Sequence, residues 1–271
     1  MLPIVTRYLG SLISAYDLTH DPLMRQRAVD LADWLLPAFA TRSGLVTGQY
    51  ALGHHPNGRE APMISLAEAG SLSLELTRLF QITRDKRYFE AVSRSTDFLD
   101  SWHVLHPGAQ KIKALWPQAL NVSDPNCTLG LGVYGIQGAT NFDYLMKMHL
   151  LLSGAQGQYR RMYEAAASGI TRFLLRPAAV VGGLDGVVAG DMHYPDKEDG
   201  EDEYPPSFYA SRLDQASAFA GGMLAIGAKV FSRPTDLITG VKVRIAGLPR
   251  LISPTSFHTN SLPPSFVACF S

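Results

Sequence analysis

The feature that most constrains this chain is a helical hairpin that returns along it. Leu9, Leu12, Ile13 and Tyr16 recur at helical spacing, and the pattern breaks at Leu18-Thr19-His20-Asp21-Pro22. A second stripe then runs through Leu23, Ala28, Leu31, Trp34 and Leu35. Asp21 suits the cap of that second helix and Pro22 its first turn. The same device returns with Leu72, Leu76, Leu79 and Phe80, a turn at Ile82-Thr83-Arg84-Asp85, and Tyr88, Ala91, Thr96, Phe98 and Leu99. A third copy runs from Tyr144 to Leu152, turns at Ser153-Gly154, and resumes with Tyr159, Met162, Tyr163, Ala166, Ile170 and Phe173. The spacing of roughly 65 residues exceeds the usual α-solenoid repeat of about 33–47. It leaves room for long loops at one end of a closed ring of hairpins. The fold class predicted is therefore all-α, an α/α toroid, with periodicity fading after Pro234 and an extended tail over the Pro-rich stretch 249–264.

Composition narrows the function classes. The 271 residues carry 24 Lys+Arg against 24 Asp+Glu, with 46% hydrophobic and 18% charged residues. Zero net charge offers no electrostatic footprint for nucleic acid or an anionic membrane. No run of 18 apolar residues is present to span a bilayer. The carboxylates divide unevenly, eight Glu to sixteen Asp. Cys127 and Cys269 lie far apart without zinc spacing, and could form one bridge or stay as two thiols. The N-terminus begins inside a helical pattern with no secretory leader, which predicts a longer gene product.

The short motifs are weak. Gly130, Gly132 and Gly135 spell GxGxxG, but a turn precedes them and no βαβ pattern follows, so a loop entering a helix is favoured over a nucleotide site. His54 and His55 lack acidic or thiol partners at ligand spacing. The acidic run Asp196 to Glu203 places Pro195 where a calcium loop needs its first Asp, leaving a solvated insertion. Asn121-Val122-Ser123 and Asn126-Cys127-Thr128 are glycosylation sequons, which fit a protein of the secretory pathway.

Four ordered segments carry a resemblance: RYLGSLISAYDLTHDPLMRQRAVDLADWLLPAF, LAEAGSLSLELTRLFQITRDKRYFEAV, FDYLMKMHLLLSGAQGQYRRMYEAA and AFAGGMLAIGAKVFSRPTDLITGVKV. Together they resemble glycoside hydrolase family 47, the class I α-1,2-mannosidases, in its fungal secreted branch. The resemblance implies a partial (α/α)7 barrel over residues 1–243 and an irregular tail over 244–271. It also implies removal of α-1,2-linked mannose from N-glycans by inversion, with a calcium ion at the barrel base. Inversion needs one protonated carboxylic acid and one carboxylate that activates water.

Carried over position by position, the resemblance places Pro3 where the family has its acid and Ala139 where it has a second essential carboxylate. A loose tail alignment puts Pro264 at the base. Asp143 stands one helical turn after Ala139, but at the family's own acidic position in that helix, so it does not compensate. The family's substrate-site His corresponds to Gln215, and its disulfide cysteines to Ala218 and roughly Gly247. The calcium-ligating Thr has no counterpart, so this chain is expected to bind no calcium. Arg7 and Glu68 remain as candidate substrate-binding residues, and the expectation for catalytic and metal-ligating residues is none. Three readings follow: a mannosidase whose gene product is longer, a mannose or glycoprotein binder without turnover, or a fragment with no function of its own.

Overall fold

A computed structural model describes residues 1–47, 63–105, 111–112, 114–122, 132–136, 139–179, 185–195, 206–211 and 215–246. The turn chemistry that joins the first two hairpins is the same atom for atom. Thr19 Oγ1 donates to the Ala15 carbonyl at 2.8 Å and accepts from the Asp21 N–H at 3.2 Å. Sixty-four residues on, Thr83 Oγ1 donates to the Leu79 carbonyl at 2.8 Å and accepts from the Asp85 N–H at 3.2 Å. Each Asp then receives the N–H two residues later, Leu23 at 2.8 Å and Arg87 at 3.0 Å. Between Thr and Asp sits a left-handed residue, His20 (φ 56°) or Arg84 (φ 66°). One hydroxyl closes the outgoing helix and one carboxylate opens the returning one.

These turns join α1 (Gly10–Thr19) to α2 (Pro22–Leu35) and α4 (Ser73–Thr83) to α5 (Lys86–Leu105). A π-helical turn, Ile4–Leu9, leads into α1, and the short α3 (Leu66–Gly70) precedes α4. The third hairpin is α6 (Ala139–Leu151) and α7 (Gly157–Gly169), turned through Ser153 (φ 51°) and Gly154 (φ 75°). A fourth follows, α8 (Gln215–Val230) and α9 (Pro234–Ala246), turned at Ser232 (φ 55°).

The helix α9 corrects the expectation that periodicity fades after Pro234. Its buried face is Asp236, Gly240 and Val243, two of which no apolar pattern would include. Asp236 is neutralised by Arg233, whose Nε lies 2.6 Å from Oδ2. Gly240 is needed for close approach, since a Cβ there would stand 2.5 Å from the Gly221 carbonyl oxygen.

The first helices of the hairpins, α1, α4, α6 and α8, pack side by side in an inner row. Their partners α2, α5, α7 and α9 return along the outside. A continuous core joins the two layers, with Trp102, Tyr88, Tyr134, Tyr159, Tyr163 and Phe142 among its largest fully buried side chains. The architecture is thus the mostly helical α/α arc that the hairpins predict.

Strands lie between the hairpins. An antiparallel ribbon pairs β1 (Met63–Ser65) with β2 (Ala119–Asn121). A second sheet centres on β5 (Asp185–His193), flanked by β4 (Leu175–Ala179), β3 (Val133–Tyr134) and β6 (Phe208–Ser211). Five of the strands are only two to five residues long, and the nine-residue β5 is interrupted by Gly186 and Gly190, so no alternation stands out in sequence. In chain order β1, β3 and β6 precede α3, α6 and α8, so the strands gather where inner helices begin.

Candidate active site

The positions singled out by sequence converge on that strand-decorated end. Pro3 immediately precedes the π-helical turn, Glu68 lies in α3, Ala139 opens α6, and Gln215 opens α8 with Ala218 in its first turn. The start of α6 seats directly on α3. Asn141, 1% exposed, packs so closely on Gly70 that a Cβ there would stand 1.6 Å from its Oδ1. The end of the inner row therefore groups the positions at 68 and 139 on neighbouring helix starts.

The two candidate binding residues have different local duties. Glu68 forms a capping box with Ser65: the Glu68 N–H donates to Ser65 Oγ at 3.1 Å, and Ser65 N–H and Oγ donate to Glu68 Oε2 at 3.2 and 3.0 Å. The carboxylate is thereby held over the first turn of α3. Arg7 is exposed on the π-helical turn, and its guanidinium has no ion pair or hydrogen bond among the described residues. Among the described residues no hydrogen bond or ion pair joins the two side chains. Asp143 is paired along its own helix with Lys147, which holds the carboxylate against α6.

A carboxylate that the hairpin pattern passed over lies deeper in the same wall. Glu75, on α4, accepts from the Tyr144 hydroxyl of α6 at 2.9 Å through Oε1, while Oε2 is buried without a partner. Its Cγ lies 3.5 Å from where a Cβ on Gly10 would stand, so it sits among α1, α4 and α6. Burial pushes its carboxyl pKa upward, against the opposing pull of a backbone hydrogen bond, Tyr144 and Lys147. Desolvation first, then the adjacent carboxylate, likewise raises the Tyr144 phenol. The available signal was its place among Leu72, Leu76 and Leu79 on an apolar stripe.

The GxGxxG reading resolves into packing at Gly132 and Gly135. A Cβ on Gly132 would meet the Tyr194 carbonyl oxygen at 1.9 Å, and one on Gly135 would meet Asp191 Oδ1 at 1.8 Å. Asp191, 2% exposed, accepts from Gln118 Nε2 at 2.9 Å, tying β5 to the segment before β2. Asn121 of the first sequon is 9% exposed and paired opposite Met63 in the ribbon, so it is not presented at the surface. His54, His55, Asn126, Cys127, Asp196 to Glu203, Gly247, Pro264 and Cys269 lie outside the described residues.

Among the described residues no group of three or more His, Cys, Asp or Glu side chains is placed to hold a metal ion. Of the carboxylates nearest the helix starts, Glu68 uses Oε2 in its cap and Asp143 pairs with Lys147. No helix among the described residues is long and apolar enough to cross a membrane.

The profile of glycosyl hydrolase family 47 matches residues 3–248. The chain belongs to glycosyl hydrolase family 47. Among its family 47 relatives, mannosyl-oligosaccharide 1,2-alpha-mannosidase IB of Mus musculus is 28% identical over 82% of this chain and 32% of its own length. The endoplasmic reticulum mannosyl-oligosaccharide 1,2-alpha-mannosidase of Schizosaccharomyces pombe is 31% identical over 62% of this chain and 32% of its own. The solved alpha-1,2-mannosidase from Trichoderma reesei superposes with a TM-score of 0.70 at 22% identity, covering 89% of this chain and 49% of that one. The fold is accordingly part of the family 47 α/α barrel. The chain spans about a third of the length of these curated relatives and about half of the solved structure.

Proposed function

We propose that this chain is a family 47 protein whose ligand is the terminal α-1,2-linked mannose of N-glycans, recognised at the end where the inner helices start and not hydrolysed. The ligand class follows from the relatives, which are named for mannosyl-oligosaccharide hydrolysis. The absence of turnover rests on one reading of the sequence: Pro3 and Ala139 stand where the resemblance to family 47 places its acid and a second essential carboxylate. A positioned acid or base contributes on the order of 10²–10⁴-fold, so losing the acid and a second essential carboxylate together removes measurable catalysis. Arg7 has its five N–H donors available for sugar hydroxyls, and Glu68 keeps acceptor capacity beyond its cap. Calcium has no part in this reading, and the ER name of one relative together with the sequon at Asn126 supports the secretory pathway.

The test is incubation of the purified chain with an oligomannose N-glycan and calcium, with released mannose measured by mass spectrometry. No release is expected, and any turnover overturns the assignment of Pro3 and Ala139. In parallel, mannobiose is expected to raise the melting temperature and Arg7→Ala to abolish the shift. Absence of a shift at millimolar sugar overturns binding. Added calcium is expected to leave both the melting temperature and the mannobiose shift unchanged.

A further inference from the structure

Three polar atoms at the junction of α3, α4 and α6 are buried without a hydrogen-bond partner: Ser71 Oγ, Glu75 Oε2 and Asn141 Nδ2. Ser71 and Asn141 are each 1% exposed, so bulk solvent does not satisfy them. The packing sets the three along one seam. Asn141 is seated on Gly70, the residue before Ser71, and about one turn further along both helices the Tyr144 hydroxyl donates to Glu75 Oε1 at 2.9 Å. Contacts in that order run the start of α4 parallel to the start of α6. A Cβ on Gly10 would stand 3.8 Å from Glu75 Oε1, so α1 closes the third side.

We propose that this seam holds a resident water molecule bound by Ser71 Oγ, Glu75 Oε2 and Asn141 Nδ2. The chemistry of the three atoms selects the occupant. The amide nitrogen only donates, an ionised carboxylate oxygen only accepts, and the serine hydroxyl does either. A metal cation is repelled by the amide donor and an anion by the carboxylate, whereas water accepts from the first and donates to the second. Three partners are the usual complement of a buried water. At ordinary hydrogen-bond length one water bridges polar atoms up to about 5.6 Å apart. One helical turn advances about 5.4 Å, which matches the step along the seam. Protonation of Glu75 keeps the water in place. Oε1 is taken by the Tyr144 hydroxyl, so the proton goes to Oε2 and the water turns to accept it. The bridge ties α4 to the start of α6, which Ala139 opens, and extends the seating of Asn141 on Gly70 into the next helix.

Two measurements on the full chain test this. In the wild type the Asn141 side-chain amide is expected to show a nuclear Overhauser cross-peak at the water frequency, with the sign of a long-lived contact. Oxygen-17 relaxation dispersion, which hydroxyl protons do not enter, is expected to lose the amplitude of one water molecule in Glu75→Leu. Glu75→Gln keeps a polar atom at that place and is expected to retain the amplitude. Leu150→Ala, on the exposed side of α6, is the control and leaves it unchanged. Circular dichroism establishes that each variant is folded. An Asn141 amide without the cross-peak overturns the proposal whether or not the variants fold. Equal amplitudes in the wild type and a folded Glu75→Leu overturn it as well.

Discussion

Two glutamates in the same segment show how much a residue's surroundings decide. Glu68 closes a capping box, so its replacement by Ala is expected to cost about 1 kcal/mol, read as a lower urea midpoint with an unchanged slope. Glu75 is half-buried, its Oε2 fully so, with a raised pKa and one neutral partner. Its folded-state pKa exceeds the unfolded value, so its favourable contribution is complete below the ordinary Glu range. That contribution is lost as pH rises through the shifted value. Glu75→Gln should therefore flatten the stability profile above the ordinary Glu range and gain relative to wild type towards neutral pH. Urea titrations at a series of pH values check this, and parallel profiles would remove the burial argument. The sequence marked Glu68 through its family segment, although Ser65-x-x-Glu68 also spells its capping duty. Glu75 stayed hidden because an acidic residue inside an apolar stripe looks like an interruption of the stripe.

At the scale of elements, the duplicated Thr-x-Asp turn allows a controlled comparison. Asp21→Ala and Asp85→Ala remove equivalent caps, but Asp85 also binds Arg87, whose guanidinium reaches Asp33. Each is expected to lose about 1 kcal/mol from the cap, since exposed ion pairs add only ~0.2–1 kcal/mol. Chemical denaturation of both variants measures the difference. Three hairpins were legible because apolar residues recur at helical spacing on both sides of a turn. The fourth was not, since α9 buries an aspartate and a glycine. The strands escaped notice for a different reason. They are two to nine residues long and owe their pairing to partners far along the chain, as when Ile64 meets Leu120.

For the whole molecule, the decisive fact is where exposed apolar surface lies. Of the twelve large hydrophobic side chains exposed among the described residues, nine belong to the two end hairpins and the turn leading into α1. Inner hairpins have a neighbour on each side, whereas end hairpins have one. Stability in such stacked arrays follows neighbour contacts. Amide exchange is thus expected to be slowest in α4 to α7 and faster in α1 and α2. Uniform protection across all four hairpins would mean that the arc opens only as a unit. The barrel class was readable from the repeat and the family segments. The placement of candidate site positions at the starts of inner helices needed the strands and the packing of Asn141 on Gly70.

Trp34 gives this molecule an optical handle. Trp102 and Trp116 are 1% and 7% exposed, while Trp34 on α2 is 64% exposed. The emission spectrum should therefore divide into a blue, quencher-resistant core component and a red component that acrylamide extinguishes. With Trp34→Phe as the blank, one cuvette follows the outer face of the first hairpin separately from the interior. A ligand, a partner or a continuation of the polypeptide that reached α2 would announce itself as a shift in the red component alone.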